Sequence, residues 1–205
     1  MSKDKTGSHR RILENAKQEF LRCGFEKASM RVIAGKSGLT GGALYKHFDS
    51  KEEMFNALVE PAYRQLLGLF DRHTDTVMND MTENPKEMRE DSLRGTRAVL
   101  ALIYENFDVF QLMFNCSAGT RFEYIRETIV DMEAASTKRF IEMAEKNGLA
   151  PAKLSDREIH IFATMSLTPL FEVITHGYSY EEAVRIAERM ARAQNYAWEK
   201  MIELK

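Results

Sequence analysis

Nine consecutive residues, Thr40-Gly41-Gly42-Ala43-Leu44-Tyr45-Lys46-His47-Phe48, bring together a hydroxyl, two bare backbone positions, a phenol, an ammonium and an imidazole. These groups donate hydrogen bonds; they suit the binding of an anion better than the making or breaking of bonds. The flanking residues fit. Ser29 to Lys36 has the apolar spacing of a short helix (Met30, Ile33, Ala34), Gly38 offers a turn, and Asp49-Ser50-Lys51 closes the run. Two short helices joined by a tight turn, the second rich in donors, have the proportions of a helix-turn-helix.

The chemistry of the second helix follows from its residue types. Thr40 stands where a side-chain oxygen caps the helix, leaving other first-turn amides free for a phosphate. Gly41 and Gly42 cost helix stability but permit close approach of backbone to a ligand. They also remove side chains, so base readout falls on Arg31, the Ala43 methyl, Tyr45 and Lys46. Thr40, His47 and Lys51 are placed as phosphate clamps, which set register without reading sequence. Simpler roles stay open: ring packing for Tyr45, partial burial for His47, and solvated charge for Arg31 and Lys46. Leu44 and Phe48 occupy the inward side at four-residue spacing, which turns Tyr45 elsewhere.

Charge is distributed to match. Residues 1–51 hold eleven Lys/Arg against five Asp/Glu, net +6, whereas the remainder is net −8, giving the −2 of the whole chain. Positive charge gathered at one end attracts a polyanion there and keeps the other end away from it. Lys3, Lys5, Arg10 and Arg11 form a basic arm that reaches toward a DNA backbone or minor groove, or is simply solvated.

The elements that must position these groups read as helices throughout. Four prolines and eleven glycines interrupt 205 residues, and apolar positions recur every three or four residues instead of alternating. Ile12, Leu13, Ala16 and Phe20 form the inner stripe of a first helix, expected to stop at Gly24 in a left-handed cap. Ser50 and Glu53 form a capping box that opens a fourth helix through Met54, Phe55, Leu58, Ala62, Leu66 and Phe70, with a bend or break expected at Pro61. A polar loop is expected within 73–92, and further helices near 86–115, 119–146, 156–176 and 180–204. Ser155-x-x-Glu158 and Ser179-x-x-Glu182 mark two of the starts, and Asn147-Gly148 ends the middle helix. The fold expected is all-α: a three-helix amino-terminal helix-turn-helix domain over 1–51, then a larger helical domain over 52–205. Three short helices sharing so small a core need the body to hold them.

From Ile12 to Phe55 the sequence resembles the amino-terminal segment of the TetR family of transcriptional regulators. The resemblance rests on Ile12-Leu13, Ala16, Phe20, Gly24-Phe25, Ser29-Met30, Ile33-Ala34, Ser37-Gly38-Leu39-Thr40, Gly42, Leu44-Tyr45, His47-Phe48, Ser50-Lys51-Glu52 and Phe55. It covers about a fifth of the chain. Asn15, where alanine is usual, and Gly35 inside the second helix depart from it. The resemblance implies a cytoplasmic, sequence-specific DNA-binding regulator, a repressor by family default, with Arg31, Ala43 and Tyr45 at the major groove. It implies a homodimer through the last two helices, reading pseudo-palindromic half-sites roughly 34–36 Å apart. Ile161, Met165, Leu167, Thr168, Phe171, Val184, Ala187, Met190, Ala191 and Trp198 offer faces for that seam or for the chain's own core.

It also implies an effector pocket in the body. Tyr104, Phe107, Phe110, Met113, Phe114, Phe122 and Met132, with Met165 on the penultimate helix, concentrate aromatic and soft side chains that suit a small apolar or aromatic ligand, or that simply build core. Arg121, Glu123 and Glu105 flank the polar break at 115–120. No cofactor is implied. Cys23 and Cys116 form no close-spaced ligand set, and Glu172 with His176 lacks a third metal ligand. A helical enzyme and a helix-turn-helix adaptor for proteins are the competing readings. The first lacks a nucleophile–base pair, phosphate loop or metal triad in the sequence, and the second fits poorly with a net +6 head. No apolar run is long enough to span a membrane.

Overall fold

Apolar residues at helical spacing, with few backbone breakers between them, dictate an all-helical chain. The computed structural model describes residues 5–83, 85–148 and 151–202, apart from the side chains of 5–6, 73–83, 85–89, 198–199 and 201–202. Among the described residues there are nine helices and no strand. They are α1 (Lys5–Lys27), α2 (Met30–Lys36), α3 (Gly41–Leu44), α4 (Lys51–Glu83), α5 (Pro85–Glu105), α6 (Phe107–Asn115), α7 (Ile125–Lys146), α8 (Asp156–His176) and α9 (Tyr180–Ile202). They group into two compact units, residues 1–64 with 106–125 and residues 65–105 with 126–205.

The first unit holds α1, α2, α3, the start of α4, and α6. Ile12, Ala16 and Phe20 of α1 are buried with Ile33, Leu44, Phe48, Met54 and Phe55. Phe20, Phe25 and Phe55 pack ring on ring, with centroids 5.3–5.8 Å apart. The sequence places 106–125 with the body, yet Phe110, Leu112, Met113 and Phe122 are buried in this first unit. The helix expected over 86–115 breaks at Asn106, whose φ of −128° and ψ of 34° leave the helical region. α6 then packs on α1, where Lys17 and Asp108 pair at 3.0 Å. The small three-helix core thus gains a fourth wall.

Several local expectations meet their physical test here. Gly24 does interrupt α1, but its φ of 76° comes with ψ of 163°, so the residue is extended with reversed φ and not a left-handed helical cap. Pro61 does not divide α4 in two, and the polar stretch expected as a loop within 73–92 is helical at 73–83 and again from Pro85. Residues 73–83 are mostly weak helix formers, but neither glycine nor proline interrupts them, so nothing in the backbone stops the helix there. Segment 116–124, expected as the start of a helix from 119, is a satisfied turn. Ser117 Oγ donates to the Phe122 carbonyl at 3.0 Å, and Thr120 Oγ1 donates to the Ser117 carbonyl at 2.7 Å.

The second unit packs α5 on α9 and α8 on α9. Leu100, Val173, Ala183 and Ala187 form a core cluster, joined by Tyr104, Leu170 and Val184. Both carboxyl-terminal capping boxes form: Ser155 N–H donates to Glu158 at 2.7 Å and Ser179 N–H donates to Glu182 at 3.1 Å. Each hydroxyl accepts the reciprocal amide at 3.3 Å. At the start of α4 the Ser50 hydroxyl accepts from Glu53 N–H at 2.9 Å, whereas the Glu53 carboxylate accepts from Asp49 N–H, one residue earlier than a capping box requires.

Gly35 and Gly38 make opposite predictions. A Cβ on Gly35 meets nothing within 4 Å and its φ is not positive, so Gly35→Ala removes helix-interior entropy without a clash. We expect about 0.4–1 kcal/mol of added stability. Gly38 has φ of 69°, so Gly38→Ala costs about 1–2 kcal/mol. Denaturant midpoints of the two variants, moving in opposite directions, check both.

Candidate nucleic-acid interface

The helix-turn-helix is built by caps and a turn. Ser29 caps α2 by accepting the Val32 amide, and the α2–α3 turn passes through Gly38, with Leu39 N–H donating to the Ala34 carbonyl at 2.9 Å. Thr40 Oγ1 accepts the Ala43 amide at 3.2 Å, the N-cap expected from sequence. α3 itself is one turn, and its only fully buried residue is Leu44. Phe48 is buried just beyond it, with its amide donating to the Leu44 carbonyl at 3.2 Å. Leu44 and Phe48 turn inward and so carry the intervening residues outward.

The outward face holds the residues that sequence singled out. Tyr45 is 52% exposed, and Arg31, Thr40, Gly41, Gly42 and Lys46 are also exposed, with Ala43 half-buried beside them. Neither Arg31 nor Lys46 has an ion-pair partner among the described residues, which leaves both cations available. His47 is half-buried, and its neighbour Phe48 stacks on His9 with ring centroids 4.5 Å apart. Lys51 is engaged differently. Its ammonium donates to the carbonyls of Glu26 (3.0 Å) and Ala28 (3.3 Å) and lies 4.5 Å from the centre of the Phe25 ring. It caps the end of α1 where the chain enters α2, and one ammonium proton remains for another acceptor. Of the basic arm, Arg10 and Arg11 are exposed on α1, which begins at Lys5, while Lys3 lies outside the described residues.

Behind this face lies a group that sequence reasoning missed. Glu19 of α1 is fully buried, and its carboxylate accepts from Arg22 at 2.7 and 3.1 Å and from Lys36 of α2 at 3.4 Å. The Arg22 hydrogen bond holds the carboxyl below its ordinary pKa, against the burial that would raise it. Glu19 therefore ties the two helices by charge. Asn15, the departure from the family pattern, makes a second tie: its amide donates to the Arg11 carbonyl at 2.9 Å and to Ser37 Oγ at 3.1 Å. The signal for Glu19 was present, because a carboxylate falls seven residues after Ile12 and three after Ala16, within the inner stripe.

The eight residues expected to line an effector pocket are divided, with half-buried Met132 in the second unit. Phe107, Phe110, Met113, Phe114 and Phe122 belong to the first unit, and Tyr104 and Met165 to the second. Phe110 and Met113 are fully buried, while Met165 is 49% exposed on α8. Tyr104 donates its hydroxyl to the Tyr178 carbonyl at 2.7 Å. Arg121 pairs with Glu60 and lies 4.6 Å from the centre of the Phe122 ring, and Glu123 accepts the Gly119 amide at 3.2 Å. In the second unit a groove of about 670 Å³ runs along α9, bordered by Arg97, Tyr180, Val184, Arg185 and Arg189, with Glu188 bound to Arg97 at 2.6 Å. On α7, Glu133 shares the inner face with Ile129, Val130, Thr137 and Phe140, is half-buried, and has no hydrogen-bond or ion-pair partner among the described residues. Burial alone pushes its carboxyl up. Among the described residues no cluster of three His, Cys, Asp or Glu could hold a metal, and Glu172 with His176 is an exposed pair at 3.1 Å.

Residues 12–58 match the family described as bacterial regulatory proteins, tetR family. The match is confined to this amino-terminal segment. It is 35% identical over 82 residues to the HTH-type transcriptional repressor AcnR of Corynebacterium glutamicum, covering 40% of this chain and 44% of that protein. It is 41% identical over 76 residues to the HTH-type transcriptional repressor KstR2 of Mycobacterium tuberculosis, covering 37% and 36%. The matches thus span less than half the length of these curated relatives. Over nearly the whole chain the fold is that of SmeT, the repressor of the Stenotrophomonas maltophilia multidrug efflux pump SmeDEF, with a TM-score of 0.62 at 19% identity, covering 95% and 92%. The TetR-family regulator PfmR of Thermus thermophilus gives a TM-score of 0.61 at 20% identity, covering 89% and 97%.

Buried Glu19 and half-buried Glu133 predict opposite pH signatures. Glu19 has a folded pKa below its unfolded value, so its contribution is present above the ordinary carboxylate range and is lost as pH falls. Glu19→Gln should cost roughly 1–3 kcal/mol near neutrality, the range for hydrogen bonds to a charged group, and the gap to wild type should close on acidification. Glu133 has a raised folded pKa, so its cost to stability appears as pH rises above the ordinary carboxylate range. Glu133→Gln should stabilise the protein at neutral pH and leave it unchanged in acid. Urea unfolding at a series of pH values separates the two.

Proposed function

We propose that this protein is a sequence-specific DNA-binding transcriptional regulator, a repressor released from a pseudo-palindromic operator by a small-molecule effector. The observation that carries this reading is the outward face of the helix-turn-helix, where Arg31, Tyr45 and Lys46 stand exposed around two bare glycines. In this reading Arg31, Ala43, Tyr45 and Lys46 meet base edges. Thr40, Gly41, Gly42, His47 and the remaining proton of Lys51 hold phosphates.

One head reads too few base pairs to stand out from a genome of competing sites, so the protein works as a homodimer. Ile161 (67% exposed) and Met165 on α8 and Met190 (45% exposed) on α9 are the apolar groups offered to the partner copy. Trp198, the other aromatic expected at this seam, lies outside the described side chains. The effector is small and apolar or aromatic and binds in the helical body beyond residue 51; one solved protein of similar fold, SmeT, is described in complex with triclosan. Effector binding moves α4, whose residues belong to both units, and changes the spacing of the two heads. A nearly complete release requires about 5 kcal/mol of differential affinity between the two states. In this reading the protein works beside the chromosome, in the cytoplasm; among the described residues no helix is long and apolar enough to cross a membrane.

Fluorescence anisotropy on genomic fragments selected by the purified protein tests the reading. A steep loss of affinity with salt is expected, along with one sequence that outcompetes nonspecific DNA. Arg31→Ala and Tyr45→Ala should each cost about 1–3 kcal/mol and relax the sequence preference. Indifference to every duplex at low salt would overturn it.

A further inference from the structure

Cys23 and Cys116 are far apart in sequence, and the fold brings their segments together inside the first unit. Cys23 ends the regular part of α1, directly before Gly24. Cys116 caps α6, donating its own amide to the Leu112 carbonyl at 3.0 Å and accepting the Phe25 amide on its carbonyl at 2.9 Å. The two main chains therefore touch two residues beyond Cys23, and two virtual bonds of about 3.8 Å each limit how far Cys23 can lie from that contact. A disulfide needs Cα atoms about 4.4–6.8 Å apart. The residue that must adjust is Gly24, which already has positive φ and has no atom within 4 Å of a built Cβ.

Both thiols are free and half-buried, so a small oxidant reaches them without unfolding. The Cys23 thiol donates to the Glu19 carbonyl at 3.2 Å. Burial and the nearby Cys23 thiolate both push the Cys116 thiol up.

We propose that Cys23 and Cys116 are a peroxide-responsive dithiol that closes to an intrachain disulfide and weakens DNA binding. The Cys23 thiolate attacks one oxygen of hydrogen peroxide; the O–O bond breaks, an S–O bond forms, and the departing hydroxide is protonated to water. The Cys116 thiolate then attacks the Cys23 sulfur; the S–S bond forms, the S–O bond breaks, and a second water leaves. Two thiols lose two electrons to one peroxide, which becomes two waters. The new bond draws the end of α1 toward the end of α6 and turns the backbone at Gly24. The carbonyls of Glu26 and Ala28, which Lys51 holds at the entrance to α2, lie immediately downstream. Closure therefore shifts the seat of the helix-turn-helix. The effect on DNA rests on the regulator reading above; formation of the bond does not.

Intact-mass spectrometry of the full chain, before and after hydrogen peroxide, is the first arm. A loss of two hydrogen masses, reversed by dithiothreitol, is expected, with a tryptic peptide joining the Cys23 and Cys116 segments. Cys23→Ala and Cys116→Ala should each abolish the mass loss, and their circular dichroism and unfolding midpoints establish that they fold. Anisotropy on the selected DNA is the second arm, where about a 5-fold or greater loss of affinity on oxidation is expected, absent in both variants. Two alkylatable thiols after peroxide, or disulfides only between chains, would overturn the proposal. A closed disulfide with unchanged affinity would overturn the switch. Failure of the reduced protein to bind any DNA would instead strike the regulator reading, with the mass result still standing.

Discussion

Burial of Leu44 and Phe48 is the constraint on which the reading face depends. α3 is a single turn of four residues, two of them glycine, and such a helix has no stability of its own. Its direction is fixed because two side chains four residues apart are 0% and 2% exposed. Everything between and beside them must then face outward, which is why Tyr45 and Lys46 are free. The Thr40 cap adds one hydrogen bond, worth about 1 kcal/mol, and refines a position that burial has already chosen.

The supports behind α3 are electrostatic as well as apolar. Glu19 is a carboxylate in the core of a positively charged unit, and burial of such a group is costly unless it is paired. Arg22 and Lys36 pair it from the exposed side, so each contributes a charge at the surface and a hydrogen bond inside. The same cations that raise the positive field of the head thereby fix α2 against α1. Lys51 does the equivalent work at the end of α1. These cations show why counting lysines and arginines overstates the number free for a phosphate.

How much of this could be read from the sequence depended on whether the cause was local. The inward spacing of Leu44 and Phe48, the Thr40 cap and the boxes at Ser155 and Ser179 are set by residues within one turn, and they form as spacing requires. The break at Asn106 is different. Asparagine is no strong helix breaker, and the interruption accompanies the packing of α6 on α1, a contact between residues about ninety positions apart. The aromatic residues grouped from sequence as a pocket are divided between two units for the same reason, since helical spacing shows that a face is apolar but not which neighbour covers it. Glu19 fell between these cases: its position in the inner stripe was legible, while its partner Lys36 was not.

The division of the chain bears on how a signal travels. The polypeptide passes between the two units within α4 after Arg64, at Asn106 and at Ile125. In α4 the passage is continuous helix, which transmits displacement along its axis with little loss because each turn is hydrogen-bonded to the next. At Asn106 and Ile125 the chain leaves and enters regular helix, and such junctions absorb rotation. Segment 106–125 thus joins the second unit through the chain at both its ends and packs on α1 through α6. In the mechanism proposed, α4 carries the displacement to the head. Within the first unit α4 and α6 meet α1 on opposite sides of the Gly24 interruption: α4 through Lys51 at the Glu26 carbonyl after it, and α6 through Lys17 about two turns before it. Between those two contacts Gly24, with φ of 76°, is the residue whose backbone no side chain restricts.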